Sequence, residues 1–387
     1  MNFDKWWPCL KKHTKRVKYL LPYAKHLKAN LNSERPFRYF TLCAPPMIDV
    51  FMLTKEDVLD YDESHLAIDA VVFCEYNQEH VPMMRELIGR ENSGFQGRLE
   101  DLVLFEDDDF TATLPDIRAV ENYRIQKGES LTEEQSDQLQ KKIDHLELQR
   151  CFPFDFINLD FCDHYYPDPP DIMKVNKTVD RMLEWQRRVH AANTSSKTAR
   201  KVDEFMMAIT CRHDTKLPAE AQTRLLNLIR SNCDEFPNYK QQLQASRPTE
   251  IDVWAESSNL DFFLAGWPKE IAHLADQRQW DMEIIEYLHY SRISDTGQSY
   301  EMICLVCGFK RTEFSKTYLA VSMKALDEDQ RIIINQVNRE DANGKALLSD
   351  LTGIVELRNE HAENAKRDVL PLPITAIEEF EAQGVQY

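Results

Sequence analysis

Three apolar runs in this sequence end on acids. Ala70-Val71-Val72-Phe73-Cys74 runs into Glu75, Leu102-Val103-Leu104-Phe105 into Glu106 and Asp107, and Phe154-Asp155-Phe156-Ile157-Asn158-Leu159 into Asp160, with Asp163 and His164 close behind. In an open parallel sheet ligands sit outside the carboxyl ends of the strands. An acid placed there can accept hydrogen bonds from ribose hydroxyls, an adenine amino group or a substrate amine. The same carboxylates offer a second chemistry. Glu75, the run Glu106 to Asp109, and Asp160 with Asp163 could gather around Mg²⁺, which prefers hard oxygen ligands, as in a nuclease. Asp160 and Asp163 lie three apart rather than as an Asp-x-Asp pair, which weighs against the metal. His164 is a proton carrier or a histidine on a pocket rim.

The elements needed to present these acids alternate along the chain. A helix over 9–31 kinked at Pro22 precedes a strand at 37–43 and a helix at 47–58. Strand 69–75, helix 78–90 and strand 101–106 follow, then a polar stretch leading to a helix at 132–150 with Ser130 and Glu133 as its capping box. Strand 154–160, a helix at 171–192 and strand 205–211 complete the series. Beyond 215 the spacing predicts helices over 218–246 and 267–289, then two strands, 300–307 and 316–323, as an antiparallel hairpin. Alternation at this spacing predicts an α/β fold: a doubly wound, mostly parallel, Rossmann-like sheet with a terminal antiparallel hairpin and helical additions. The organisation expected is a basic helical arm at 1–36, an α/β domain at 37–323 with helical insertions at about 111–150 and 215–295, and an extension at 324–387.

Taken in that order, the strands and acids resemble a class I S-adenosylmethionine-dependent methyltransferase domain over roughly residues 37 to 323. More narrowly, the basic amino-terminal helix, Cys43-Ala44-Pro45-Pro46 in place of an Ala-Gly-Pro-Gly turn, and Leu159-Asp160-Phe161 in place of an Asp-Pro-Phe turn resemble the three-Cys-motif partner proteins. These are methyltransferase-like proteins often found with bacterial defence systems. The resemblance implies S-adenosylmethionine as cofactor, with Glu75 on its ribose hydroxyls, Glu106 or Asp107 beside the adenine amino group, and Ala44 in the cofactor turn. It implies that Asp160 faces the methyl acceptor, with Asn158 and Asp163 in the same pocket; nucleic acid is one acceptor class open to such a domain, and the sequence does not name it. One departure gives a rival reading. A glycine-rich turn brings backbone N–H groups to a cofactor, whereas Pro45 and Pro46 have neither an N–H nor torsional freedom. The rival is a non-catalytic member that keeps the fold and serves as an interaction subunit of a multi-protein complex.

Charge and composition narrow the setting. The chain carries −18 overall, but its first 40 residues hold ten Lys and Arg against Asp4 and Glu34. Lys11, Lys12, Lys15, Arg16 and Lys18 make a basic helix suited to phosphates or to an acidic protein. No run approaches the roughly 18 apolar residues of a membrane span, and the amino terminus lacks the order of a signal peptide. Nine scattered cysteines suit buried, reduced thiols and a cytoplasmic address. Cys304 and Cys307 have half the spacing of a zinc site but sit in an apolar strand-like run. Trp254, Trp267 and Trp280 read as core anchors. No Gly-x-Ser-x-Gly or P-loop pattern is present, which weighs against a lipase-like hydrolase and an NTPase.

Overall fold

Parallel strands buried on both faces must be apolar throughout, and four of the predicted runs meet that demand. In the computed structural model, β1 (Tyr39–Thr41), β4 (Val71–Glu75), β6 (Phe156–His164) and β7 (Glu204–Arg212) form the centre of one sheet. The structure describes residues 16–31, 35–42, 45–62, 65–66, 70–89, 94–105, 132–167, 171–187, 202–213, 217–246, 250–257, 259–293, 299–312, 335–336 and 353–362. Three further strands complete the main sheet: β5 (Gly94–Gln96), β8 (Trp280–Ile293) and β9 (Ser299–Arg311). The order is β5-β4-β1-β6-β7-β9-β8, and the two-residue β10 (Asn335–Gln336) extends the β8 edge. β2 (Tyr61–Asp62) and β3 (His65–Leu66) pair with each other apart from this sheet.

Strands β5, β4, β1, β6 and β7 run parallel, while β9 is antiparallel to both β7 and β8. The chain starts in the middle at β1, moves out to β4 and β5, then returns to β6 on the other side. The order therefore reverses between β1 and β6, where doubly wound sheets open a ligand crevice. The architecture is the Rossmann-like α/β fold with a closing antiparallel hairpin that the alternation predicts.

Helices cover both faces. On one, Tyr39, Val71, Phe73, Phe156, Met206 and Ala208 pack against α1 (Leu21–Ala29), α2 (Ile48–Lys55), α3 (His80–Leu87) and the helix at 353–362. On the other, Phe40, Val72, Cys74, Ile157, Leu159, Met207 and Ile209 pack against α4 (Leu99–Val103), α5 (Glu133–Cys151), α6 (Lys174–Gln186), α7 (Ala219–Glu235) and α10 (Asn259–Gln277). The shorter α8 (Pro237–Ser246) and α9 (Ile251–Ser257) join α7 to α10. Trp267 and Trp280 are fully buried core anchors; the side chain of Trp254 lies outside the described set. Cys304 and Cys307 are free, buried thiols on β9, opposite Thr210 and Met207.

Several expectations are corrected. The predicted third strand at 101–106 is instead α4, whose Leu99, Leu102 and Val103 are buried while Glu100 and Asp101 fill its first turn. The third strand is Gly94–Gln96. Residues 280–293, which overlap the predicted helix 267–289 and lie within the predicted insertion 215–295, are strand β8, and β8 with β9 makes the hairpin. The predicted strand 316–323 lies outside the described residues. The capping box forms at Thr132, whose hydroxyl accepts the Gln135 N–H at 3.2 Å while Gln135 Oε1 accepts the Thr132 N–H at 3.1 Å. The described part of the basic segment does not stand off the body as an arm, because Leu20, Leu21, Ala24 and Leu27 are buried.

β5 abuts β4 closely enough to constrain its first residue. Gly94 lies opposite Phe73, and a Cβ there would sit 2.3 Å from the ring. Since Phe73 is fully buried, Gly94→Ala is expected to lower stability by about 1–3 kcal/mol in urea unfolding, as overpacked cores do. Adding Phe73→Leu should recover part of the loss, and an alanine variant as stable as the parent would contradict the close approach.

Candidate functional site

The crevice is bounded first by the turn after β1. Pro45, Pro46 and Met47 are buried there, and Met47 adopts a left-handed conformation (φ 51°) as α2 begins. Cys43 and Ala44 lie outside the described residues. Beneath the turn is a carboxylate that the sequence reading missed. Asp49, in the first turn of α2 and 5% exposed, accepts the Tyr39 hydroxyl, the Thr41 hydroxyl at 2.9 Å and Asn158 Nδ2 at 3.3 Å. Burial, and next the neighbouring Asp49, hold the Tyr39 hydroxyl well above its usual pKa. The protein thus supplies its own anion inside the first turn of α2, where a doubly wound fold otherwise receives a ligand's negative groups. An acid inside the apolar run Ile48 to Leu53 was the available signal, because a buried carboxylate needs donors close by.

Asn158 belongs to this network. It lies beside Thr41 in the β1–β6 register, its carbonyl accepts the Leu42 N–H at 3.0 Å, and its Nδ2 also donates to the Tyr39 oxygen at 3.1 Å. Its Oδ1 is buried with no hydrogen-bond partner.

Glu75 ends β4 at the next position along the edge. Its Oε1 accepts the Asn77 N–H at 2.7 Å and lies 3.5 Å from His80 Nδ1, while Asn77 Oδ1 accepts the Glu79 N–H at 3.0 Å. The carboxylate fastens the turn leading into α3. Tyr76 beside it is 69% exposed, and the guanidinium of Arg98, just after β5, lies 5.3 Å from its ring centre. Glu106 and Asp107 lie outside the described residues, and since β5 closes at Gln96, neither follows the third strand. Gln96, Gly97 and Arg98 arrive beside Glu75 instead, with the Gly97 N–H donating to the Glu75 carbonyl at 3.0 Å.

Asp160 is half-buried on β6, opposite Thr210. The strand then bulges, so that His164 pairs with Arg212 across four residues of β6 and two of β7. The side chain of Asp163, inside the bulge, lies outside the described set. The bulge feeds an open depression of about 220 Å³, counting the solvent at its mouth, lined among others by His164, Tyr165, Tyr166, Arg212, His213 and Phe263. Its wall is aromatic. His213 stacks on Phe263 at 4.5 Å, Phe263 stacks on Trp267 at 4.9 Å, and Tyr165 meets Tyr166 edge-on at 5.0 Å. Behind the wall, fully buried Glu270 accepts from the Tyr166 hydroxyl and from Arg224 Nε, and burial pushes its carboxyl up to about 8. His164 falls on the rim, as one of its two sequence readings has it. Arg212, His213 and Glu270 were invisible to motif reading, since more than a hundred residues separate Tyr166 from its partner.

The three parts of the carboxyl edge therefore differ. The β1 end is filled by the protein's own prolines and carboxylate, the β4 end is tied into its turn, and the β6–β7 end is open and basic. Among the described residues no group of three or more His, Cys, Asp or Glu is placed to hold a metal ion, and no helix is long and apolar enough to cross a membrane. No protein-family model, curated protein or solved structure matches the chain.

Proposed function

We propose that this chain is a methyltransferase-like protein that works without the cofactor, as an interaction subunit. The observation that carries this reading is the turn after β1. Its buried prolines offer no N–H, and Asp49 already takes three donors beneath it. A sulfonium cofactor would need that space and those backbone donors. A partner contact is supplied by the basic end of the chain. Lys25, Lys28 and Arg35 are engaged by Glu56, Asp60 and Asp155 within the fold. The basic run Lys11, Lys12, Lys15, Arg16 and Lys18 is the segment we assign to a nucleic-acid or acidic protein partner.

A second reading is S-adenosylmethionine-dependent methyl transfer, with Glu75 on the ribose and Asp160 facing the acceptor. It is favoured by the strand order, five parallel strands closed by an antiparallel hairpin, and by the open depression at the carboxyl end of β6. Calorimetric titration with S-adenosylmethionine and S-adenosylhomocysteine separates the two. The first reading expects no binding at millimolar ligand, and Glu75→Ala then costs only about 1 kcal/mol of stability through the lost Asn77 contact. Saturable binding that Glu75→Ala weakens by roughly 2–4 kcal/mol would install the second reading.

A further inference from the structure

We propose that Tyr76, backed by Arg98, is a stacking platform for an unpaired base of single-stranded nucleic acid. The proposal rests on the interaction-subunit reading and gives that subunit a partner class and a place of contact.

Exposure of the ring is the first support. Among the described residues only two large apolar side chains are exposed, Tyr76 at 69% and Val253 at 50%. Val253 sits on a short surface helix, whereas Tyr76 stands just past the end of β4, at the carboxyl edge of the sheet. Its backbone is held from both sides. Glu75 Oε1 accepts the Asn77 N–H at 2.7 Å, and the Glu75 carbonyl accepts the Gly97 N–H at 3.0 Å. Gly97, at a φ of 132° that suits glycine, carries the chain from β5 into Arg98. The Arg98 guanidinium then lies over the Tyr76 ring, 5.3 Å from its centre. Two anchored turns thus fix an aromatic ring in solvent before any ligand arrives, which lowers the ordering cost of binding one.

The surroundings fit a base better than a bare phosphate. Gln78 and Gln96 are exposed beside the ring, the second opposite Glu75 in the β4–β5 register. Primary amides match the donor and acceptor edges of bases. The local charge is balanced, because exposed Glu79 follows the same turn as exposed Arg98 approaches. The chain as a whole carries −18, so a contact carried by phosphates would work against the field of the protein. Stacking does not depend on that field, and every base has a face to offer. The contact is therefore led by the base, with Arg98 meeting one neighbouring phosphate.

The test uses the full chain and a short fluorescein-labelled single-stranded oligonucleotide, followed by anisotropy against salt, beside the same strand carrying abasic sites. The intact strand is expected to bind and the abasic strand to bind about tenfold more weakly. Tyr76→Ala should weaken the intact strand by a similar factor and leave the abasic strand unaffected, while Tyr76→Phe, which keeps the ring, stays within about twofold of wild type. Arg98→Gln should lower the salt slope by about 0.7, the share of one phosphate contact. Because both side chains are exposed, none of the variants should shift the melting temperature. Strand binding that ignores Tyr76→Ala would overturn the platform and place the contact elsewhere, leaving the interaction-subunit reading intact. No strand binding at all would overturn it in favour of a protein at this surface. Displacement of the strand by S-adenosylmethionine would overturn it together with the cofactor-free reading on which it rests.

Discussion

A chain lacking residues 1–36 is expected to lose its cooperative unfolding transition. Leu20, Leu21, Ala24 and Leu27 are buried in the core on the α1 face of the sheet. At roughly 1.5–3 kcal/mol for each large apolar side chain, the three leucines alone contribute on the order of 5–9 kcal/mol. That is comparable to the whole stability of a typical domain, about 5–15 kcal/mol. The polar contacts add to it unequally. Lys25–Glu56 and Lys28–Asp60 are partly exposed pairs worth little. Arg35 is different, because it grips Asp155 with two hydrogen bonds of 2.6 and 2.7 Å, and Asp155 is 1% exposed. Removing Arg35 leaves that buried carboxylate with the Arg38 N–H at 2.9 Å, and stripping one partner from a buried pair costs about 3–5 kcal/mol. Near-ultraviolet circular dichroism and calorimetry should show a broad transition with little fixed aromatic packing. A truncated chain that melts sharply within a few degrees of the full one would refute the integration of this segment into the fold.

The lysines of that segment suggest an exposed arm, but its apolar stripe decides where it lies. Leu20, Ala24 and Leu27 recur at helical spacing and carry the packing, while the lysines occupy the other face. The central strands were legible because β1, β4, β6 and β7 are nearly continuous apolar runs, the mark of parallel strands covered on both sides. β5 was not, since Gly94-Phe95-Gln96 is three residues long and the richer run Leu102 to Phe105 lay close by. β8 misled for a different reason. Its ladder shifts register between Ile284 and Glu286, so Trp280, Ile284 and Tyr287 fall at intervals of four and three, which imitate a helix.

Of the site, the sequence shows what is local. Glu75 and Asp160 stand at the carboxyl edge, and Pro45-Pro46 announces that the first turn departs from a glycine cradle. What it conceals is partnership across the fold. Nothing in the sequence tells that Asp49 will meet Asn158, or that His164 will face Arg212, because the first depends on the β1–β6 register and the second on a bulge. At the open half of the edge the sequence shows Asp160 and His164 but not Arg212, which β7 brings opposite His164.

Glu270 gives that half of the molecule a measurable signature: stability is expected to fall as pH rises from about 4.5 to about 8. Its carboxyl is fully buried, and burial raises its folded pKa from the ordinary 4.5 to about 8. Between those values the folded chain keeps a proton that the unfolded chain has released. Each pH unit in the window then removes up to about 1.4 kcal/mol, and above pH 8 the loss is complete. Arg224 opposes this, since its guanidinium favours the ionised carboxylate, but its side chain is 42% exposed and solvated. It offsets part of the burial, leaving a total on the order of 4 kcal/mol as an upper figure. Glu270→Gln keeps the shape and can still accept from the Tyr166 hydroxyl, yet has no proton to lose. Melting temperatures of the two proteins should be close near pH 5 and diverge as pH rises, with the glutamine variant the more stable by pH 9. A constant gap across that range would mean that Glu270 does not titrate there. A variant that weakens progressively with pH would show the ionised Glu270–Arg224 pair to be a net stabiliser, and the depression would then have a full negative charge behind it.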